Sequence, residues 1–489
     1  MSVATSPAPV RTPAVPTPDN HVIVLFGATG DLAMRKLLPG MLHLTAAGLM
    51  PEGFRIICTS RRQFTDQDLR RRLTDSIERF GREPPTGDLW ERFTASLSAV
   101  SIGDGLGELS RAVAQAREDL GGGTRRLHYL SLPPTGSPAV VKELGESGLN
   151  EGARIIMEKP FGTDLASARE MNARVTSVFD ETQIFRIDHY LGREAVQNLL
   201  AVRFANGMFE PVWNRDHIDH VQIDVPETLS IEMRGAFYDR TGAFRDMVVT
   251  HLFQVLGFVA MEPPTSLDAK TLMAERAKVF DAMPPLDPQQ LVRGQYDGYR
   301  DEEGIAPDSD TETFAALRAQ VDNWRWAGVP FYLRTGKRLA ESRHLLTLAF
   351  KQPPRRMFPH DCRYQAEAFG FDHLTFELGD PGTISASFLA KVPGPTLKLG
   401  EADMNFSYAS AFAGPEQALE PYERLLHDVM LGDRMLFTSS DAIERVWEVS
   451  QPVLDNPPPV QSYEPGSWGP ESADDLIAPR HWHLPGHPG

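Results

Sequence analysis

Cysteine is nearly missing: the 489 residues contain two, Cys58 and Cys362. They can form at most one disulfide and stand in no metal-ligand spacing, so no disulfide scaffold is available and a reduced, cytoplasmic setting is expected. No run of about 18 apolar residues occurs, so no membrane-spanning segment is expected. The first twenty residues, MSVATSPAPVRTPAVPTPDN, lack the apolar core of a secretory signal. Their Pro, Ser, Thr and Ala content reads as a disordered arm over 1–20. Internal repeats are absent. Cations are scarce as well: 49 Lys and Arg face 66 Asp and Glu, a formal net charge of -17. That deficit argues against nucleic acid as a partner. It also repels phosphorylated ligands on average, so any phosphate site must gather its own local cations.

What is present is enough apolar material, 41% of the chain, to build a large core, and a length that suits two to four domains. HVIVLF (21–26) reads as a buried strand, followed by a Gly-rich turn and a helix over KLLPGMLHLTAAG, where Pro39 marks a bend or a break. FRIICTS (54–60), RRLHYLSLPPT (125–135) and ARIIMEKPFG (153–162) repeat the strand signal, with helical stretches such as DQDLRRRLTDSIERF between them. That alternation predicts a Rossmann-type parallel sheet over 21–187. Beyond it, HVQIDVPETLSIEM, HLLTLAFKQ, HLTFELG and TISASFLAKV predict a large, mainly antiparallel sheet. The fold class is therefore α/β plus α+β, with a parallel-sheet N-terminal domain and a larger α+β domain over 188–489. Two stretches, 286–311 and the chain beyond 456, are rich in Pro and Gly and read as an exposed loop and an extended tail.

The turn after the first strand, VIVLFGATGDLA, lacks the first glycine of G-x-G-x-x-G, for which Leu25 stands. Gly27 and Gly30 still let a backbone approach a pyrophosphate, Thr29 lies between them, and Ala33 is small where helix meets strand. An ordinary strand–turn–helix corner uses glycine too. The next strand ends in C-T-S-R-R, putting Arg61 and Arg62 where an NAD binder carries an acid on the ribose. A guanidinium suits a 2′-phosphate, so the pair favours NADP.

Three segments carry chemistry. EKPFG puts Lys159 at a strand's end, the edge where parallel sheets bind ligands. RIDHYLGRE crowds Asp188, His189, Tyr190 and Arg193 into one turn, a set able to hold a phosphate and orient a base. RDMVVTHLFQVLG places His251 in an apolar helix, with Asp246 about one and a half α-helical turns earlier. That spacing does not put the two on one face, so they need not touch.

Taken together with LPPT, VRFAN, WNR, VAMEPP, GVPFYLRTGKRL and YERLLHDVMLGD, these stretches resemble the glucose-6-phosphate dehydrogenase family from about residue 21 to the C-terminal region. The resemblance implies oxidation of glucose 6-phosphate at C1 to 6-phosphogluconolactone with reduction of NADP+, the first step of the oxidative pentose phosphate pathway, without a metal. It implies His251 as general base with Asp188 as its carboxylate partner. It assigns His189, Tyr190 and Arg193 to the phosphate, and Glu227, Asp246, Lys159 and Lys337 to the substrate. Gly27, Thr29, Gly30, Arg61, Arg62 and again Lys159 go to the coenzyme. Lys36 matches a family lysine without an assigned role. It further implies a homodimer or homotetramer formed through the larger domain.

The chain departs from the family pattern at Arg193, where Lys is usual, and at Thr250, where Asn is usual before the base. Ser342 and Arg343 stand where a second substrate cation often follows RTGK. The alternatives are a dehydrogenase for another sugar phosphate or a non-catalytic, ligand-binding paralogue.

Overall fold

The computed structural model describes residues 16–80, 87–231, 235–355, 357–358, 372–379, 382–411 and 419–484. Residues 1–15 of the N-terminal arm and Cys362 lie outside them. Six strands form the first sheet: β1 (His21–Phe26), β2 (Phe54–Ser60), β3 (Leu97–Ser101), β4 (Arg125–Leu130), β5 (Ala153–Glu158) and β6 (Ile184–Ile187). Their order is β3-β2-β1-β4-β5-β6, and β1 pairs in parallel with both β2 and β4. Val22 to Phe26 are at most 1% exposed, which is why this strand reads as a continuous apolar run and not as an alternating one. The strand order reverses at β1, and in such sheets ligands bind beyond the carboxyl ends at the reversal. Cys58 is a free thiol buried in β2, and burial pushes it up to about 12, so it is inert.

Nine strands form the second sheet: β7 (Ile218–Pro226), β8 (Leu291–Tyr296), β9 (Phe314–Ala319), β10 (Phe331–Gly336), β11 (Leu345–Phe350), β12 (His373–Glu377), β13 (Thr383–Lys391), β14 (Leu399–Ser407) and β15 (Val460–Tyr463). The order is β14-β13-β12-β11-β7-β10-β9-β8-β15. Pairing is antiparallel except for β7 with β10 and β8 with β15. Tyr238, Tyr296, Tyr299, Phe314, Tyr332 and Trp482 are buried together on this sheet.

Two readings of the sequence are corrected. The stretch 286–311 is not an exposed loop. It contains β8, and Tyr299 is fully buried with its hydroxyl donating to Asp239 at 3.1 Å. Spaced apolar anchors outweigh the Pro, Gly and acid content there. The chain beyond 456 is not simply extended: it forms β15 and a helix at Ser472–Ile477, and Tyr463, Ile477 and Trp482 plug the same core. Pro39 marks a change within one helical run: the wide turn Ala33–Leu37 ends just before it, and it lies in the first turn of the α-helix Leu38–Ala46.

The chain forms two compact units. One holds the described residues up to Pro133 with Lys142–Ile156 and Tyr422–Asp433; the other holds Pro134–Val141, Met157–Pro421 and the chain from Arg434. Helix Pro421–Leu431 belongs largely to the first because Arg154 donates to the carbonyls of Val429 and Met430, and His43 bonds Glu423 at 2.8 Å. In the second unit the helical run Gly235–Ala260 is long and apolar enough to cross a membrane. Its chain is kinked at Gly242, however, and 83% of its apolar window is buried within the protein.

Inside the second sheet Arg334 on β10 lies beside Asp224 on β7, both side chains 1% exposed, with Nε donating at 2.8 Å. Replacing Arg334 by Met leaves a buried carboxylate unpaired. Urea denaturation of Arg334→Met should show a loss of about 3–5 kcal/mol, and adding Asp224→Leu should restore much of it. A single variant as stable as the wild type would refute this account of the sheet's centre.

Candidate active site

The glycines expected to meet a coenzyme lie in the turn after β1. Gly27 has φ +73°, and a Cβ there would lie 2.2 Å from the Ser131 carbonyl oxygen, so only glycine fits. Gly30 donates its N–H to the Gly27 carbonyl at 2.9 Å, closing a tight turn with Thr29 at its crest. Helical structure begins at once, and Ala33 is fully buried against the sheet. This is a cradle that a side chain would fill, followed by helix N–H groups, and it fits a pyrophosphate. Arg61 and Arg62 follow β2 with exposed side chains. Neither makes an ion pair among the described residues. Lys36 is exposed in the wide turn Ala33–Leu37.

The second unit brings the remaining predicted residues together. Phe244–Leu252 is a wide helical segment in which each N–H bonds the carbonyl five residues back, as Phe253 does to Val248. This overturns the expectation that Asp246 and His251 face apart. Bonding at i, i+5 puts them on one side, and Lys159 Nζ joins them, at 2.9 Å from Asp246 Oδ1 and 2.6 Å from His251 Nε2. The Thr250 hydroxyl donates to the Asp246 carbonyl. Thr250 thus ties down the same turn that displays the base, which gives this departure from the family pattern a structural role.

On its other nitrogen His251 donates from Nδ1 to Asp188 Oδ1 at 2.6 Å, and the backbone N–H of Tyr190 donates to the same oxygen at 2.9 Å. His251 is 1% and Asp188 4% exposed. Burial would raise the Asp188 carboxyl, but the His251 and His189 imidazoles and the Tyr190 N–H outweigh it, and Asp188 stays below the usual carboxylate range. For His251 burial lowers the affinity for a proton, Asp188 opposes this and Lys159 reinforces it, so the ring lies below 6.5. That direction favours the neutral ring, the form a general base requires. Burial would also raise Asp246, yet the Lys159 ammonium holds it at about 2.

The Tyr190 ring stacks on His251 at 4.4 Å, and the Arg193 guanidinium lies 4.4 Å from the same ring. Arg193 donates from Nη1 to the Leu378 carbonyl at 3.2 Å, while its Nε is buried without a hydrogen-bond partner among the described residues. His189 packs edge-on to His251 at 4.9 Å, and burial, with His251 and Lys159 adding to it, pushes it well below 6.5. Lys337, at the end of β10, bonds Glu227 at the end of β7. Asp188, His189 and His251 offer ligand atoms within 4.8 Å of one another. Asp188 and His251 spend theirs on each other, and Lys159 lies at His251 Nε2.

With this geometry in place, the comparisons decide the family. The model described as glucose-6-phosphate dehydrogenase, NAD binding domain, matches residues 24–198, and the one described as glucose-6-phosphate dehydrogenase, C-terminal domain, matches residues 200–483. The chain belongs to the glucose-6-phosphate dehydrogenase family. It is 39% identical to glucose-6-phosphate 1-dehydrogenase 2 of Mycobacterium tuberculosis, over 95% of this chain and 94% of that one. A crystal structure of glucose-6-phosphate 1-dehydrogenase from Mycobacterium avium is 38% identical and superposes with a TM-score of 0.85, covering 97% and 100% of the two chains. A glucose-6-phosphate dehydrogenase solved in complex with its substrate glucose-6-phosphate is 31% identical, with a TM-score of 0.87 over 96% and 99%. A nicotinamide coenzyme follows from membership in this dehydrogenase family and its nucleotide-binding domain.

Two further groups support the site in this family member and were not legible in the sequence. Arg276 is 2% exposed, its positive charge acts on Asp188, and it donates to Gln254, which also accepts from Thr438 at 3.1 Å. His344 packs 5.8 Å from the Tyr190 ring. Both stand outside any motif, and only the fold brings them in.

Because Lys159 lowers the His251 pKa, its removal must raise it. In Lys159→Met, histidine NMR of the ligand-free protein should show His251 titrating at higher pH than in the wild type. An unchanged or lower value would mean that Lys159 does not act on the base.

Proposed function

We propose that this chain is an active, NADP-linked glucose-6-phosphate dehydrogenase that oxidises glucose 6-phosphate at C1 to 6-phosphogluconolactone. The observation that carries the reading is the buried Asp188–His251 pair with Lys159 on the far nitrogen. With Nδ1 committed to Asp188, Nε2 is the nitrogen free to take a proton. The C1 hydroxyl of the sugar replaces Lys159 Nζ there, while Asp246 keeps the ammonium close. His251 takes the hydroxyl proton, and Asp188 at 2.6 Å steadies the imidazolium that forms. The nicotinamide, when bound, accepts the hydride that leaves C1 as the carbonyl forms.

Glu227, Asp246, Lys159 and Lys337 bind and orient the sugar. His189, Tyr190 and Arg193 hold the 6-phosphate. Gly27, Thr29 and Gly30 cradle the coenzyme pyrophosphate, and Arg61 with Arg62 takes the 2′-phosphate that distinguishes NADP from NAD. The solved relative that binds glucose 6-phosphate supports this choice of substrate. The reaction opens the oxidative pentose phosphate pathway in the cytoplasm, and the working form is a homodimer or homotetramer.

His251→Asn should lower kcat by about 10²- to 10⁴-fold, while calorimetry still detects glucose 6-phosphate binding. Normal turnover would remove His251 as the base. Retained binding by a wild type that turns over no sugar phosphate would favour the non-catalytic paralogue. Arg61→Ala should cut kcat/KM for NADP+ by about 10- to 100-fold and spare NAD+. Equal losses with both coenzymes would refute the 2′-phosphate assignment.

A further inference from the structure

We propose that His344 is an additional ligand of the substrate's 6-phosphate, completing a pocket with Arg193. The inference rests on the functional reading above. Three consecutive residues ahead of β11 could supply a group there. Ser342 is engaged elsewhere: its hydroxyl accepts from the Thr228 N–H at 2.9 Å. Arg343 is held by two carboxylates, Glu341 at 3.1 Å and Glu377 at 3.4 Å, so its charge is already matched. His344 is the third. Its ring lies 5.8 Å from the Tyr190 ring at 59°.

The same peptide fixes both members of the pair. Leu378 donates its N–H to the His344 carbonyl at 2.6 Å, and its own carbonyl accepts from Arg193 Nη1 at 3.2 Å. Arg193 therefore presents a guanidinium whose Nε is buried without an acceptor. His344 presents an imidazole that makes no hydrogen bond among the described residues and remains partly exposed. A cation and a neutral donor side by side, with Tyr190 between them and the base, describe a seat for an anion. Burial, with Arg193 adding to it, lowers His344 to about 4. The ring is thus neutral in the free protein and offers one N–H. A phosphate group takes that N–H together with the guanidinium, which explains how Arg193 serves where Ser342 and Arg343 contribute nothing.

The test is calorimetric binding of glucose 6-phosphate and of inorganic phosphate to wild type, His344→Ala and His344→Gln, with NADP+ binding as the measure of intact structure. His344→Ala should weaken both phosphate ligands about tenfold and leave NADP+ affinity unchanged. His344→Gln, which keeps a donor, should recover part of the loss. In turnover, KM should rise more than kcat falls. A double-mutant cycle with Arg193→Ala should show coupling between the two sites. Unchanged phosphate affinity in His344→Ala, or an equal loss of NADP+ affinity, would overturn the inference. Failure of the wild type to turn over glucose 6-phosphate would instead overturn the functional reading, and the binding series would still decide the role of His344.

Discussion

The site depends on one distortion, the wide helical segment Phe244–Leu252. In a regular α-helix Asp246 and His251 would point apart; with bonding five residues back they converge on Lys159 Nζ. Wide turns of this kind weaken a helix and tend to persist where function requires them. Here the Thr250 hydroxyl caps the loose Asp246 carbonyl, and the surrounding helix is apolar and buried. The result is a histidine with its two nitrogens in different hands: Asp188 holds Nδ1 and favours the charged ring, and Lys159 stands at Nε2 and disfavours it.

The electrostatics are arranged locally against an unfavourable average. A formal charge of -17 would keep phosphates away, so cations are concentrated where phosphates are expected. Arg61 and Arg62 are exposed and make no ion pair among the described residues, whereas most buried arginines, such as Arg203, Arg293 and Arg334, are paired with carboxylates inside the fold. Arg193, half-buried in the second unit, is held by an aromatic ring and a carbonyl and makes no ion pair with a carboxylate among the described residues, which leaves its charge for a ligand. Arg276 serves differently, supporting the buried Asp188 carboxylate from behind.

Much of this was legible from the chain alone. The parallel sheet showed itself through short apolar runs, and the nucleotide turn through Gly27, Gly30 and Ala33, because local steric demands write themselves into neighbouring residues. The partnership of Asp188 with His251 came from the family resemblance, since no local pattern joins positions so far apart. The convergence of Asp246 and His251 was misread, because helical spacing assumes a regular helix. The strand at Leu291–Tyr296 and the tail core around Trp482 were missed where a few buried aromatics sit among Pro and Gly. His344 and Arg276 were silent because nothing adjacent in sequence marks them.

The most direct test of this account is nitrogen NMR of His251 in the ligand-free protein at pH 7, with labelled histidine assigned by the His251→Asn spectrum. The account predicts a neutral imidazole with its proton on Nδ1, facing Asp188, and an unprotonated Nε2. A doubly protonated ring at that pH, or a proton on Nε2, would contradict the claim that this buried histidine is poised to take a proton from the substrate.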